Sequence, residues 1–469
     1  MADVVVLGAG PTGLATAMML ANQGLETMVL ERDEAPPEDP EKAWETWERR
    51  GVMQFRQPHL LQAGGYALLD EHLPSVIAQL EKVGAIPFNV AARLSALLPG
   101  GPAGVDFSRF GTLICRRPFI DHAFASAARA TPGVEVRYGT AATELMTGPE
   151  AIGGVPHVTG VRTDTGEAHS ARLVVDAAGR FTQLPSLLEA AGARRPEEHG
   201  IEIGFAYSSQ YYQGPETPEF RGDLLAPVGS ISVLTVPSDR DWWSVTLYHS
   251  WGDKAMRRVR DREVFERVVR SMPLHAHWVD GEPLGEVLPV ASPANLTREF
   301  VVDGRPCVTG VVPVGDAWGF TNPSLGRGLT LGLRHGIDVA LRVAAHLDDP
   351  ARLATEWDET TRSKAAPWHA ATVDFDRIRG PEIEASRRGE PDPFDPPDRD
   401  VAMFRAFASA SHYDPQVLHW FAEVSSCIAL PAEVFARPGA AERVLEVAGS
   451  NPPYRAPGPD RHELEGLLA

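Results

Sequence analysis

Cysteine is scarce in this chain: Cys115, Cys307 and Cys427 are the only three in 469 residues. They are odd in number and far apart, which excludes a disulfide framework and offers no metal-ligand spacing. They read as small buried hydrophobes, and no metal is expected. Long apolar runs are also missing. None approaches the roughly 18 residues of a membrane span, so no membrane span is expected. Positive charge is in short supply, with 44 basic against 63 acidic side chains and a formal net charge of −19. Such a chain is a poor partner for phosphate backbones or anionic lipid, so no nucleic-acid partner is expected. The first strand starts at residue 4, leaving no room for a signal peptide, and a cytoplasmic location is the expectation. No internal repeat is visible. The length suggests two or three domains.

What is present begins at residue 4, in VVVLGAGPTGLATAMMLANQGLETMVLERD. Val4 to Leu7 is wholly apolar and reads as a buried parallel strand. Gly8, Gly10 and Gly13 follow as G-x-G-x-x-G. The first allows a tight turn, the second admits a pyrophosphate to the backbone, and the third lets the next helix pack on the strand. Thr12 to Asn22 reads as that helix and Thr27 to Leu30 as a second strand. The strand ends in Glu31, placed to accept ribose hydroxyls and to repel a 2′-phosphate. Strand, turn, helix, strand and acid within 31 residues point to a dinucleotide.

Further on, residues 34–58 read as a polar loop and 60–83 as a helix. Val134 to Tyr138, Val158 to Thr163 and Leu173 to Asp176 read as strands. From about 200 to 250, alternating segments suggest an antiparallel sheet. Val259 to Ser271 has amphipathic helical spacing. Beyond 351 the chain reads as mainly helical, broken by a loop at 387–400. The aromatics Phe205, Tyr207, Tyr211, Tyr212, Trp242, Trp243, Tyr248 and Trp251 fall in the sheet region, where they fill a core or line a site.

A second motif spans 311–347. Val311 to Val314 is a strand ending at Gly315-Asp316. A turn at Asn322-Pro323-Ser324 leads to Gly326 and Gly328, which open a long helix. A helix start without bulky side chains presents free N–H groups and a positive dipole end. It suits a delocalised anion such as a reduced isoalloxazine ring. Gly332 lies one turn later and away from the ring, so Gly332→Ala is expected to do little. A third motif is Asp176-Ala177-Ala178-Gly179-Arg180, at the end of an apolar strand.

Together the three motifs resemble those of the FAD-dependent monooxygenases of the aromatic-hydroxylase superfamily, which includes p-hydroxybenzoate hydroxylase-like and squalene epoxidase-like enzymes and is related to flavin halogenases. The match in order and spacing covers roughly residues 1–345. The resemblance implies an α/β fold: a Rossmann-like FAD-binding domain (1–185 and 295–350), an inserted antiparallel β-sheet substrate domain (186–294), and a C-terminal helical region (351–469). It implies that Gly8, Gly10, Gly13, Glu31 and Arg32 hold the ADP half of FAD. Arg117 then contacts the ribityl–phosphate region and Asp316 the ribityl or pyrophosphate part, while Pro323 to Gly328, with Gly326 between, lie along the flavin ring. Gln54, Arg56 and His59 resemble a segment that reaches the active site, so Arg56, His59 and Pro323 are the catalytic candidates. A structural role for His59 stays open.

The implied reaction inserts one atom of O2, through a flavin C4a-hydroperoxide, into a small apolar aromatic or polyene natural-product intermediate. NADH or NADPH supplies electrons, directly or through a flavin reductase. Two departures matter. Many members that use NAD(P)H carry Asp-Gly where this chain has Asp176-Ala177. Halogenases carry W-x-W-x-I-P, whereas Trp242-Trp243 are adjacent with no Ile-Pro after them, which demotes halogenation. A reductase or dehydrogenase that moves hydride without oxygen, and a non-catalytic flavin-binding protein, are the alternative readings.

Overall fold

The computed structural model describes residues 2–292 and 294–469. The elements that build the site run in chain order as β1 (Val4–Leu7), α1 (Pro11–Ala21), β2 (Thr27–Leu30), α2 (Arg117–Ala130), β3 (Val134–Arg137) and β4 (Leu173–Asp176). Next come β5 (Phe205–Gln213), β6 (Leu225–Val228), β7 (Ile231–Pro237), β8 (Trp242–Ser250), α3 (Arg262–Arg270) and β9 (Glu282–Ser292). The last are β10 (Val311–Pro313), α4 (Gly328–Val343), α5 (Ala366–Arg388), α6 (Ala440–Ser450) and α7 (Arg461–Leu468).

Five strands form an all-parallel sheet in the order β10-β4-β1-β2-β3. Its central strands β1, β2 and β4 are buried along their whole length. That burial explains why they are continuous apolar runs rather than alternating ones. Leu14 of α1, Phe119 of α2 and Leu333 of α4 share its core. A strand–helix–strand frame with a parallel sheet is the Rossmann-like fold expected from the first motif.

The second sheet is antiparallel, in the order β6-β7-β8-β5-β9. Its two faces have different fates, set by the period of two along each strand. Tyr212 of β5, Val233 of β7 and Val245 and Leu247 of β8 face a core completed by Phe265 and Val268 of α3 and Leu464 and Leu468 of α7. The other face carries Tyr207 and Ser209, paired with Tyr248 and Thr246, with Leu234 and Leu225 continuing the row. This face looks toward the parallel sheet's domain.

Several sequence expectations shift at their edges. Residues 60–83 form two helices, Ala63–His72 and Pro74–Lys82, because Pro74 forces Leu73 out of helical geometry. The expected helix from Val259 begins at Arg262, where Asp261 caps it by accepting from the N–H groups of Glu263 and Val264. Short helical turns at Pro40–Lys42 and Ala43–Thr46 interrupt the expected loop.

Gly332 is a correction. It does not sit clear of its neighbours: a Cβ there would lie 2.4 Å from Thr12 Oγ1. Gly336 meets Thr16 in the same way, at 2.3 Å. The two glycines, four residues apart on α4, let that helix press directly onto α1.

Gly332→Ala is therefore expected to destabilise the fold by about 1–3 kcal/mol, the usual cost of overpacking. Gly449→Ala, at an exposed position of α6 with nothing within 4 Å of the new Cβ, should be neutral or stabilising by up to about 1 kcal/mol. Urea denaturation of both variants checks the contrast.

Candidate functional site

At the carboxyl end of the parallel sheet a cavity opens, and it runs without a break to the open face of the antiparallel sheet. Gly8 begins it. Its φ of +102° belongs to glycine, and a Cβ would sit 2.7 Å from the Ala177 carbonyl oxygen. Gly13 is off the cavity wall and packs on Gly8, whose carbonyl oxygen would lie 2.0 Å from an added Cβ. Gly10 behaves differently: it is on the wall and a Cβ there meets nothing within 4 Å. It is also the N-cap of α1, with no side-chain cap and no acid in the first turn. The first N–H groups of the helix are thus left for a ligand.

Glu31 closes this end, and its carboxylate is already engaged. It accepts from Ala9 N at 2.7 Å, Asp33 N at 3.0 Å and Arg49 Nη2 at 2.6 Å. A carboxylate offers about four lone-pair sites, so Glu31 retains room for roughly one ribose hydroxyl rather than two. Arg49 was hidden in sequence, one arginine in a polar loop. It also pairs with Asp33 at 3.3 Å and Asp121 at 3.4 Å. Burial pulls its pKa down, but the three carboxylates outweigh this and hold it above its ordinary value. Arg32 is exposed on the cavity rim.

Asp121 passes the chain of charges to Arg117, whose Nε donates to it. Arg117 Nη1 then meets His59 Nε2 at 2.9 Å. The other ring nitrogen of His59, Nδ1, lies 2.9 Å from the Gln57 carbonyl oxygen. A carbonyl only accepts, so the proton is on Nδ1 and Nε2 accepts from the arginine. Burial, then the neighbouring Arg117 charge, lower the His59 pKa to about 3. His59 and Arg117 both reach the cavity, but His59 is a neutral acceptor that aims Arg117, not a base poised near neutrality.

Arg56 does not reach the cavity. Its guanidinium lies over the rings of Trp44 at 5.2 Å and Phe55 at 5.0 Å and donates to the Trp47 carbonyl at 2.8 Å. Gln54, Gln57 and His59 of the same segment line the wall instead. The catalytic expectation for Arg56 is therefore not met by the geometry.

Opposite α1, Gly315 (φ +57°) turns the chain after β10 and puts Asp316 on the wall. No group among the described residues donates to the Asp316 carboxylate. Its pKa is raised by burial, with Arg180, Arg117 and Arg298 opposing. Pro323, Gly326 (φ +61°) and Gly328 complete this side. A Cβ on either glycine would meet nothing within 4 Å. Like α1, α4 starts without a side-chain cap and without an acid in its first turn. Asp176 also borders the cavity; burial pushes its pKa up to about 6, against hydrogen bonds from Thr182 and Ala178.

Two uncapped helix starts, open walls at Gly10, Gly326 and Gly328, and an acceptor at Glu31 fit one extended dinucleotide: phosphates near α1 and a delocalised negative charge near α4. The far half of the cavity is different. Leu60, Leu225, Leu234, Val236 and Val290 line it with the hydroxyl-bearing Tyr207, Ser209, Thr246 and Tyr248. Ser209 Oγ donates to Gln57 Oε1 at 2.5 Å and shares a 2.7 Å hydrogen bond with Thr246. Of the eight aromatics singled out in sequence, Tyr207 and Tyr248 reach the wall. Phe205 is buried against Tyr248, Tyr212 and Trp243 fill the opposite core, Tyr211 and Trp242 pack on Trp44, and Trp251 is exposed.

Arg49→Met should cost about 3–5 kcal/mol, since it strands buried carboxylates. Arg50→Ala, on an exposed side chain, should stay within about 0.5 kcal/mol. Denaturant titration separates them. For His59, the depressed pKa means the unfolded chain binds a proton between about pH 6.5 and 3 that the folded one refuses. The stability from its neutral form is complete above pH 6.5 and falls as pH drops. His59→Gln, which keeps an acceptor for Arg117, should lose less stability than wild type between pH 7 and 5. Nitrogen-15 NMR should find His59 neutral across pH 5–8, and an imidazole titrating near 6.5 would contradict this geometry.

Comparison with known proteins agrees with the cavity. A family model described as FAD binding domain matches residues 1–375. Protein Rv3254 of Mycobacterium tuberculosis (strain ATCC 25618 / H37Rv) is 26% identical over 351 residues, 70% of each chain. Two solved structures share the fold. A flavoprotein/dehydrogenase from Cytophaga hutchinsonii has a TM-score of 0.63 at 15% identity, covering 91% of this chain and 92% of its own. The OxyS anhydrotetracycline hydroxylase from Streptomyces rimosus has a TM-score of 0.59 at 19% identity, covering 92% of this chain and 76% of its own. With its glycine turn, acid and two open helix starts set around one cavity, the chain belongs to the FAD binding domain family.

Proposed function

We propose that this protein is an FAD-dependent monooxygenase that inserts one oxygen atom of O2, by hydroxylation or epoxidation, into an uncharged aromatic or polyene compound. NADH or NADPH supplies the electrons, directly or through a separate reductase. The observation that carries the reading is the division of charge along the continuous cavity. Glu31, Arg32, Asp33, Arg49, Asp176 and Asp316 come from the parallel-sheet side, Arg117 stands at the boundary, and Arg180 alone of these cavity charges donates to the antiparallel sheet, at Ser292 Oγ, 3.4 Å. The antiparallel sheet brings aliphatic side chains and neutral hydroxyls to the other half and no ionised group. A carboxylate or phosphate on the substrate would find no counter-charge on the sheet itself, with Arg180 at its edge the one cation in reach, and desolvating it deeper along the sheet would be costly. A flat or extended apolar molecule meets a matching surface. The shared fold with an anhydrotetracycline hydroxylase is in keeping with a bulky ring system.

Bound FAD supplies the activation of O2 and the oxygen transfer. The chain's residues do the rest. The N–H groups at the start of α4 favour negative charge beside Gly326 and Gly328. Leu60, Leu234, Val236 and Val290 keep water from the reacting end. His59 holds Arg117 in one orientation at the boundary between the two halves.

Acid precipitation of the purified protein should release FAD into the supernatant; a protein that takes up no FAD defeats the reading. Gly328→Val fills open wall at the α4 start and should weaken FAD binding at least about tenfold, read by flavin fluorescence. A screen of neutral aromatic and polyene compounds under 18O2 should find a product that carries one labelled oxygen. A substrate that is reduced or dehydrogenated with no oxygen uptake would favour hydride transfer and overturn the oxygenase assignment.

A further inference from the structure

The turn at Asn322–Ser324 borders the cavity, and it is tied down from behind by a residue of the C-terminal helical region. Asp376, on α5, is completely buried. Its Oδ1 accepts from Ser324 Oγ at 2.6 Å, and its Oδ2 accepts from Asn295 Nδ2 at 3.0 Å and Asn322 Nδ2 at 3.3 Å. The ties are cross-braced: Asn295 Oδ1 accepts from the Asn322 backbone N–H at 2.5 Å, and Asn322 Nδ2 also donates to the Ile203 carbonyl at 2.5 Å. Both partners of Nδ2 are acceptors, so the orientation of the Asn322 amide is settled. Its Oδ1 has no partner among the described residues.

No arginine or lysine lies within ion-pair distance of Asp376 among the described residues; neutral donors alone hold the carboxylate. Burial pushes its pKa up to about 6, with these donors and the more distant Arg327 charge opposing. A buried carboxylate without a counter-ion is a costly way to join a helix to a turn. What it adds over an apolar contact is direction, because each oxygen specifies the donor that faces it. Asp376 also lies one residue beyond the segment that the family model matches.

We propose that Asp376 is a positioning residue for the flavin site: through Ser324 and Asn322 it fixes the turn that borders the ring, so the C-terminal helical region sets the ring's surroundings. The proposal rests on the reading that the flavin lies along Pro323 to Gly328.

The test compares Asp376→Asn, Asp376→Ala, Ser324→Ala and the double variant Asp376→Ala/Ser324→Ala in the FAD-loaded full chain. Asp374→Asn is the control: Asp374 sits two residues away on the same helix, exposed and, among the described residues, paired only with Arg377. The readouts are the dissociation constants of oxidised and reduced FAD and the melting temperature of the apoprotein. Asp376→Asn should weaken oxidised FAD at least about fivefold. Loss of a negative charge near the turn should also raise the ratio of oxidised to reduced dissociation constants. Asp374→Asn should change neither. The double variant should be no worse than Asp376→Ala, since both act through one contact. If Asp376→Asn lowers the apoprotein melting temperature and leaves both constants unchanged, the residue is only structural and the proposal fails. Should Asp376→Asn not fold, Ser324→Ala decides alone: unchanged constants overturn the proposal, and weakened FAD with a shifted ratio supports it. Gly328→Val separates the two readings. If it weakens FAD while the Asp376 and Ser324 variants do not, only this proposal falls. If Gly328→Val is also silent, the flavin placement itself is wrong.

Discussion

One buried guanidinium holds the nucleotide end together. Arg49 stands among Glu31, Asp33 and Asp121, which come from the end of β2 and from α2. Without it, three carboxylates would share a dry space with no counter-charge between them, a costly arrangement. With it, Glu31 is held by a cation on the wall of the cavity. Asp121 keeps a lone pair for Arg117, and Arg117 is delivered to the cavity with His59 as its rest. A loop that carries no regular structure of note thus sets the electrostatics of two secondary-structure elements.

The half of the cavity at the antiparallel sheet obeys a different constraint. A five-stranded antiparallel sheet has two faces, and only one is taken up by α3 and α7. The other must be covered by something, and the protein covers it with the nucleotide-binding domain across a gap. Gln57 bridges the gap by accepting from Ser209 and donating to the Leu288 carbonyl. On that same face α5 also braces the sheet, through Ile383 against Tyr207 and Tyr248 and through Arg379 on the Ile231 carbonyl. The cavity is what remains between a charged sheet edge and an apolar sheet face.

The parts of this arrangement legible in sequence are those set by local physics. Gly8, Gly10, Gly13 and the strands around them were readable because turn, close approach and burial each demand a residue type at a fixed offset. The fold class and the start of α4 at Gly328 followed for the same reason. What escaped was set by contacts distant along the chain. Arg49 meets Asp121 across 72 residues and Asp376 meets Ser324 across 52, and neither pairing leaves a trace in spacing. Arg56 and His59 show the limit of motif transfer: in an irregular segment the side-chain direction depends on partners, here Trp44 for one and Arg117 for the other. Gly332 was misjudged because a glycine inside a helix does not reveal whether it answers to a ligand or to a neighbouring helix.

That last contact has a consequence for how the cofactor is received. The two helices whose open ends face the cavity touch each other at Gly332 on Thr12 and Gly336 on Thr16. The distance between the two anion-receiving ends is therefore written into a helix crossing, made of backbone and threonine side chains that the cofactor does not supply. Such a receptor is preorganised: its dipoles point at the ligand before the ligand arrives, and little of the binding energy goes into ordering them. The two ends of the dinucleotide are then felt as one rigid span, so a group of the wrong length can satisfy one end only by abandoning the other.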